Sequence, residues 1–309
     1  MVWRRSGGLD ALVRRPVPTR WDRFITSPIS FLASLIYEWR SSIPARPTAT
    51  ISDKAITVVC ISDTHMTRPH IPDGDILLHS GDLTQSGSKD ELQQALDWLN
   101  TLPHQHKVII AGNHDSCLDP SFKMSKTSSD SGAPQKSIDW GNVIYLQNTS
   151  IILDFFGHNI NIFGSPVSPK HGNWAFQYPR KENVWEDVIP PDTDILLTHT
   201  PPHSHLDLSF GCKFLLQELW RLKHRPILHV FGHIHGGYGQ HMAYFDNFQS
   251  IYESIIKGDA SIVSLLFLIY EAMKVLLWRA PAPGTRMVNA SMVGGVRDEL
   301  TRDATVLHL

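Results

Sequence analysis

Aspartate, asparagine and histidine recur in this chain where apolar runs end. Val58–Ile61 leads through Ser62 into Asp63-Thr64-His65, and Ile76–His79 leads through Ser80 into Gly81-Asp82. Val108–Ala111 runs into Gly112-Asn113-His114-Asp115, Ile195–Thr198 into His199, and Leu228–Phe231 into Gly232-His233-Ile234-His235. Together these blocks offer Asp63, His65, Asp82, Asn113, His199, His233 and His235, oxygen and imidazole donors of the kind that suit Mn, Fe or Zn. In Asp-x-His and His-x-His an extended backbone would turn both ligands to one side. Glycine just before Asp82, Asn113 and His233 permits a tight turn and close backbone approach. One such motif alone reads as a cap or a satisfied core polar group. Five in this order, each after a strand, point to a metal site.

Such a site needs strands to hold it. Short β-branched or leucine-rich runs predict them at Ile56–Ile61, Asp75–His79, Lys107–Ala111, Val143–Leu146, Ile151–Phe155, Ile160–Phe163, Asp194–Thr198, Ile227–Phe231, Met287–Ala290 and Thr305–Leu307. Phe156-Gly157-His158-Asn159 reads as a hairpin turn. Ser88-Lys89-Asp90-Glu91 is a capping box that opens a helix through about Asn100, with Leu92, Ala95, Leu96 and Leu99 on one face. Phe214–Lys223 repeats that spacing, and Tyr252, Ile255 and Ile256 mark a third helix before Gly258. Strands alternating with helices predict a sheet-rich α/β domain. The C-terminal edge of its parallel strands is where such folds place their ligands. There is no internal repeat, and the Ser- and Lys-rich residues 123–135 read as a solvated loop.

The 309 residues allow roughly two ordinary domains or one large one. With 42% hydrophobic and 19% charged residues, the chain is not wholly disordered, collagenous or a coiled coil. Lys plus Arg (28) against Asp plus Glu (30) leaves −2, so no global charge draws it to nucleic acid. Cys60, Cys117 and Cys212 make no disulfide framework and suit a reducing, cytoplasmic setting. Residues 1–50 read as a partly disordered N-terminal extension, with Ser41–Pro47 as linker and 51–309 as the main domain. Arg4, Arg5, Arg14, Arg15 and Arg20 make organelle targeting a lesser reading of that extension. A helical insertion is expected at about 247–280; its apolar run Ile262–Tyr270 is too short to span a bilayer and reads as a buried or half-buried helix.

The five blocks resemble those of calcineurin-like metallophosphoesterases, over about residues 55–309. Within that superfamily the chain looks most like the metallophosphoesterase-domain branch of cyclic-nucleotide-phosphodiesterase-like proteins. Gly81–Gly87, Gly164-Ser165-Pro166, Gly172–Phe176, Gly232–Gly239 and Asn289-Ala290-Ser291 carry that likeness. The resemblance implies a four-layer α/β/β/α sandwich of the metallo-dependent phosphatase type, holding two divalent transition metal ions. Asp63, His65, Asp82 and His235 would hold the first ion. Asp82 would bridge to a second, held also by Asn113, His199 and His233. The implied reaction is hydrolysis of a phosphodiester, with a cyclic nucleotide as expected substrate, by attack of a metal-bridging hydroxide. His114 would contact phosphate and act as general acid, and Asp115 would orient it.

Alternatives stand beside this reading. One is a phosphomonoesterase or Ser/Thr protein phosphatase-like hydrolase, although Leu83–Gly87 and Asp115 depart from the protein phosphatase pattern. A nuclease lacks support from charge, with no basic stripe interleaved with aromatics. A non-enzymatic alternative is a metal-binding scaffold on the same fold. No transmembrane span and no stable nucleic-acid partner are expected; peripheral membrane contact or a homodimer stays open. Trp174 and Phe176 are candidates to stack on a nucleobase or pack a lid, and Asp207 to line the rim. His203 and His205 read as surface-loop residues, whereas His79 and His229 read as structural.

Overall fold

The apolar runs become strands of two sheets. The computed structural model describes residues 19–42, 55–122, 137–155, 157–278, 284–295 and 298–309. In the first sheet β1 (Thr57–Ile61), β2 (Ile76–His79), β3 (His106–Ile109) and β4 (Val143–Tyr145) lie parallel in that order. The C-terminal strand Thr305–His308 pairs antiparallel on the far side of β1. The second sheet uses the hairpin β5 (Thr149–Phe155) and β6 (His158–Ser165), paired out to Phe155 opposite His158. The two-residue strands β7 (Ser168–Pro169) and β8 (Gln177–Tyr178) form a separate parallel pair. The second sheet continues with β9 (Ile195–Thr198), β10 (Leu228–Phe231), β11 (Gly239–Ala243) and β12 (Thr285–Asn289), in the order β11-β12-β10-β9-β6-β5. β6, β9, β10 and β12 run parallel, and β11 closes the edge antiparallel to β12.

Strand periodicity decides what each face meets. Val58 and Cys60 of β1, Ile76 and Leu78 of β2 and Val108 of β3 share one buried cluster with Ile162, Ile195, Leu197, Leu228, Val230 and Val288 of the second sheet. The sheets therefore pack face to face. The opposite faces of β1, β2 and β3 present Val59, Ile61, Leu77 and Ile109 to Leu92, Ala95, Leu96 and Leu99 of a helix, Lys89–Thr101. Each buried Val, Leu or Ile among them contributes about 1.5–3 kcal/mol. With helices flanking both sheets, the layers run α/β/β/α. Strands buried on both faces explain why these segments read as continuous apolar runs rather than alternating ones. β11, with Gly239, Gln240 and His241, has no such signature and is held by its pairing to β12.

The helices are α1 (Arg20–Thr26), α2 (Pro28–Ser42), α3 (Lys89–Thr101), α4 (Lys213–Arg221), α5 (Asn247–Lys257) and α6 (Ile262–Trp278). The α3 box forms by half. Ser88 Oγ accepts from the Glu91 amide at 3.2 Å, but the Glu91 carboxylate accepts from the amides of Gln85 and Ser86 instead. The cap thus also anchors the loop after Asp82. The chain forms two compact units. One comprises the described parts of Met1–Pro44, Phe245–Ala280 and Gly294–Glu299, and the other contains both sheets. Within the stretch read as a partly disordered extension, Arg20–Thr26 and Pro28–Ser42 are helical. The expected linker and the 123–135 loop fall largely outside the described residues. α6 is half-buried, one of its two expected readings: Leu268 and Ala272 are buried, and Ile262, Val263, Leu266, Phe267, Met273 and Leu277 are exposed.

Candidate metal centre

β1, β2, β3, β9 and β10 all end beside the cluster they were expected to feed, but the backbone does not stay extended there. Asp63, His65, Asp82 and His233 adopt left-handed φ values of 52°, 41°, 55° and 67°. The sequence expectation that strand alternation would align Asp63 with His65, and His233 with His235, is corrected. The chain turns sharply once it leaves the sheet, and side chains converge through left-handed turns. Non-glycine residues pay for that conformation in local strain, which surrounding structure must hold. Here the amides of Asp63 and His65 donate to the carbonyls of Gly81 and Asp82, at 2.9 and 3.1 Å. Gly112 and Gly232 leave no room for more: a Cβ at Gly112 would strike the Asp82 carboxylate and the His199 ring, and one at Gly232 the Asp63 carboxylate.

Three donor groups result, each with ligand atoms within 4.8 Å of one another: Asp63, His65 and His235; His65, Asp82 and His114; Asp82, His199 and His233. Asp82 belongs to two of them. Asn113 joins through Oδ1, 3.0 Å from His199 Nε2. His199 Nδ1 lies 2.9 Å from the Ser80 carbonyl, so Nδ1 carries the hydrogen and donates it. The Nε2 lone pair of neutral His199 then faces Asn113 Oδ1 and, at 3.4 Å, Asp82 Oδ2. Three acceptors then meet, and either a proton on His199 Nε2 or a cation must sit among them. His65 is fully enclosed, yet neither of its ring nitrogens has a hydrogen-bond partner among the described residues. Buried polar atoms are rarely left so, and a cation would satisfy both arrangements. The residues present fit two adjacent divalent metal ions, with donors suited to Mn, Fe or Zn.

The electrostatics agree. Burial pushes Asp63 upward, but His235, His199 and His65 outweigh it and hold the carboxyl well below the usual range. Asp82 is likewise depressed, against its burial, chiefly by His199. Burial would lower His199, yet Asp82 and Asp63 raise it to about 9. His233, buried and beside His199, is held well below its ordinary value. In the absence of metal, one proton on His199 stands where positive charge is needed.

Some expected roles change. Asp115 does not orient the His114 ring. Its carboxylate accepts from the amides of Leu83, Thr84 and Gly112 and from Thr84 Oγ1 at 2.7 Å. It ties the Asp82 loop to the Asn113 loop, because it is wholly buried and those amides need an acceptor. The His114 ring is set instead by the Gln85 carbonyl, 2.8 Å from Nδ1, and its amide donates to Asp82 Oδ1 at 2.7 Å. His203 and His205, expected on a surface loop, are buried, bonded to Ser204 Oγ and His241. Asp207 binds the amides of Ser204 and Gly211 and braces that loop rather than the rim. Phe176 is buried beside Ala111 and Ala175. Trp174 is exposed and stacks on His114, with centroids 4.4 Å apart. His79 and His229 lie inside β2 and β10, each bonded to a threonine. Sequence reasoning missed Ser291, which donates to Asp63 Oδ2 at 2.8 Å, and His171, whose ring lies 4.7 Å from that of His233. Asn289-Ala290-Ser291 was visible as a motif, but nothing in it showed which carboxylate it would reach.

An α/β/β/α sandwich with this donor cluster at its strand ends defines a metallophosphoesterase-type protein. Residues 56–237, more than half of the chain, match the calcineurin-like phosphoesterase family, and the chain belongs to that family. It is 47% identical over 306 residues to a protein of Emericella nidulans called probable rhamnogalacturonate lyase C, covering 97% of this chain and 29% of that one. It is 38% identical over 203 residues to human metallophosphoesterase domain-containing protein 1, covering 59% of this chain and 61% of the relative. A UPF0046 protein of Caenorhabditis elegans is 31% identical over 239 residues, covering 71% of this chain and 83% of the relative. The chain thus spans less than two-thirds of the length of the first two relatives.

Proposed function

We propose that the protein is a dinuclear-metal-dependent phosphodiesterase acting on a small substrate, a cyclic nucleotide in the first instance. The observation that carries this is the buried convergence of ligand atoms around Asp82, His199, Asn113 and His65, which only a proton or a cation can satisfy, with both His65 ring nitrogens lacking a hydrogen-bond partner among the described residues. Asp63, His65, Asp82 and His235 would hold one ion, and Asp82, Asn113, His199 and His233 the other. Bound there, two divalent cations acidify water and neutralise charge on the oxygens of a phosphoryl group under attack.

The chain's own residues do the rest. Asp82 Oδ1 is fixed by the His114 amide, so the shared carboxylate and His114 keep a constant spacing. With Nδ1–H given to the Gln85 carbonyl, the His114 ring presents Nε2 as its free position. A proton carried there passes to the leaving oxygen as the ester bond breaks, the general-acid role suited to imidazole. Trp174 offers an exposed indole beside that ring, and a nucleobase stacking on it would align the phosphodiester with His114. The unpaired thiols of Cys60, Cys117 and Cys212 support a reducing, cytoplasmic setting. The lyase name of the longer relative lends this chain no activity, since the matched family is one of phosphoesterases.

Kinetics on metal-analysed protein test the reading. With Mn²⁺, the protein is expected to release p-nitrophenol from bis-p-nitrophenyl phosphate, and to open 2′,3′- or 3′,5′-cyclic nucleotides faster than it cleaves monoesters. His114→Ala lowers kcat by about 10²–10⁴ while metal content by elemental analysis stays unchanged. Preference for monoesters would make the protein a phosphomonoesterase. No metal uptake, or turnover indifferent to Asp82→Ala, would leave a scaffold.

A further inference from the structure

The helical unit around α2, α5 and α6 carries a surface that the proposed chemistry does not use. Its interior is well made. Tyr37 stacks on Tyr252 with centroids 4.1 Å apart and lies against Phe248, and Ala33, Ile255, Leu268 and Ala272 complete the cluster. Arg40 is buried within it, paired with Asp246 and lying over the Phe248 ring.

The outside is different. On α6, Ile262 is 70% and Leu277 68% exposed, with Val263, Leu266, Phe267 and Met273 between them. At 3.6 residues per turn these six occupy less than half of the helix circumference. With its exposed neighbours, this stripe amounts to on the order of 1,000 Å² of apolar surface, beyond the few hundred Å² that a monomer in water ordinarily shows. On α1, Trp21 is 72% and Ile25 75% exposed.

We propose that this unit docks on an anionic lipid bilayer, with α6 lying in the plane of the interface. Three observations choose lipid over a second copy of the chain. First, cations stand with exposed apolar side chains on α1, and the sequence of residues 4–23 carries six Arg against only Asp10 and Asp22. Arg20 and Arg23 stand on α1 itself, between and beside Trp21 and Ile25. A two-fold dimer through that helix would set these cations against their own copies, whereas anionic head groups complement them. Second, the exposed aromatics include Trp21, Trp39 and Tyr270, side chains with an apolar body and a polar tip that favour the head-group boundary. Third, α6 can leave water cheaply. Its charged residues are Glu271 and Lys274, which pair at 2.9 Å, with the ammonium over the Tyr270 ring. Its 17 residues span about 25 Å, too short to cross a bilayer but suited to lie on one.

Flotation of the full chain with vesicles tests the proposal. The protein is expected to float with vesicles of phosphatidylcholine containing one-quarter phosphatidylserine, and less with phosphatidylcholine alone or in high salt. The double variant Leu266→Ser/Phe267→Ser, altered only at exposed positions, is expected to partition about tenfold more weakly or worse. Its circular dichroism should remain that of the parent. Arg20→Gln/Arg23→Gln is expected to lose on the order of tenfold on the anionic vesicles alone, and it keeps the test decisive if the first variant misfolds. A parent chain that stays with the soluble fraction overturns the proposal. So does a concentration-dependent dimer, seen by sedimentation, that the Leu266/Phe267 variant abolishes, for then a second copy covers the stripe.

Discussion

Asp63 receives more hydrogen bonds than a terminal residue of an apolar run would suggest. The His233 amide lies 3.0 Å from both of its carboxylate oxygens, and Ser291 Oγ lies 2.8 Å from Oδ2. The Ser291 amide itself donates to Asn289 Oδ1, and Asn289 Nδ2 donates to the carbonyls of Leu206 and Ile234. Such contacts behind a ligand aim its lone pairs and tune its basicity. Ser291→Ala is therefore expected to weaken metal affinity by about 10–100-fold, measured by competition with a chelating dye, while the fold is retained. Unchanged affinity would show Asp63 to be aimed by His233 alone. Asp63 was legible as a donor from its place after a strand. Ser291 was not, because its reach depends on Ser62 and Ser291 bridging two sheets, across 229 positions of sequence.

At the scale of elements, strands bring the donors to one edge and turns aim them. Gly81 holds φ at +97° and packs against the Ala111 and Gly112 backbone, where a Cβ would approach within 2.6 Å. Asp115 fastens the same two loops through the amides of Leu83, Thr84 and Gly112. Gly81→Ala is expected to destabilise the protein by about 1–3 kcal/mol through left-handed strain alone, and more from the clash. A shift of the urea midpoint would report it, together with loss of metal uptake. Strand positions and the α3 face were readable from apolar runs and spacing. The left-handed turns were not: Asp and His are enriched at positive φ, but too weakly to single out Asp63, His65 or His233, and the packed surroundings impose it.

For the molecule as a whole, the centre joins two sheets that also meet through apolar side chains and the Ser62–Ser291 bridge. Ions bound there would stabilise the folded state by mass action, by about 2.7 kcal/mol at a hundredfold excess over Kd. The gain depends on pH because a proton competes for His199. Raised from 6.5 to about 9, His199 stays protonated at neutral pH in the metal-free protein. That proton's own contribution to stability is complete below pH 6.5 and is lost as pH rises through about 9. The rise in Tm on adding Mn²⁺ is therefore expected to grow from pH 6.5 toward 8.5, with proton release on loading at pH 7. Scanning fluorimetry with and without chelator measures the first, and an unbuffered pH trace the second. A gain independent of pH would place the ions away from His199.

Local pattern was enough to mark the strands, to single out seven donors at their ends and to favour oxygen- and nitrogen-loving metals. It sufficed because a strand buried on both faces must be apolar throughout, so a polar residue at its end stands out. Only the tertiary structure decided that Asp115 clamps two loops, that His203 and His205 are inside, and that α6 turns half its apolar surface outward. Those outcomes depend on which chain segments become neighbours. A single sequence does not carry that information where the contacts are long-range and polar.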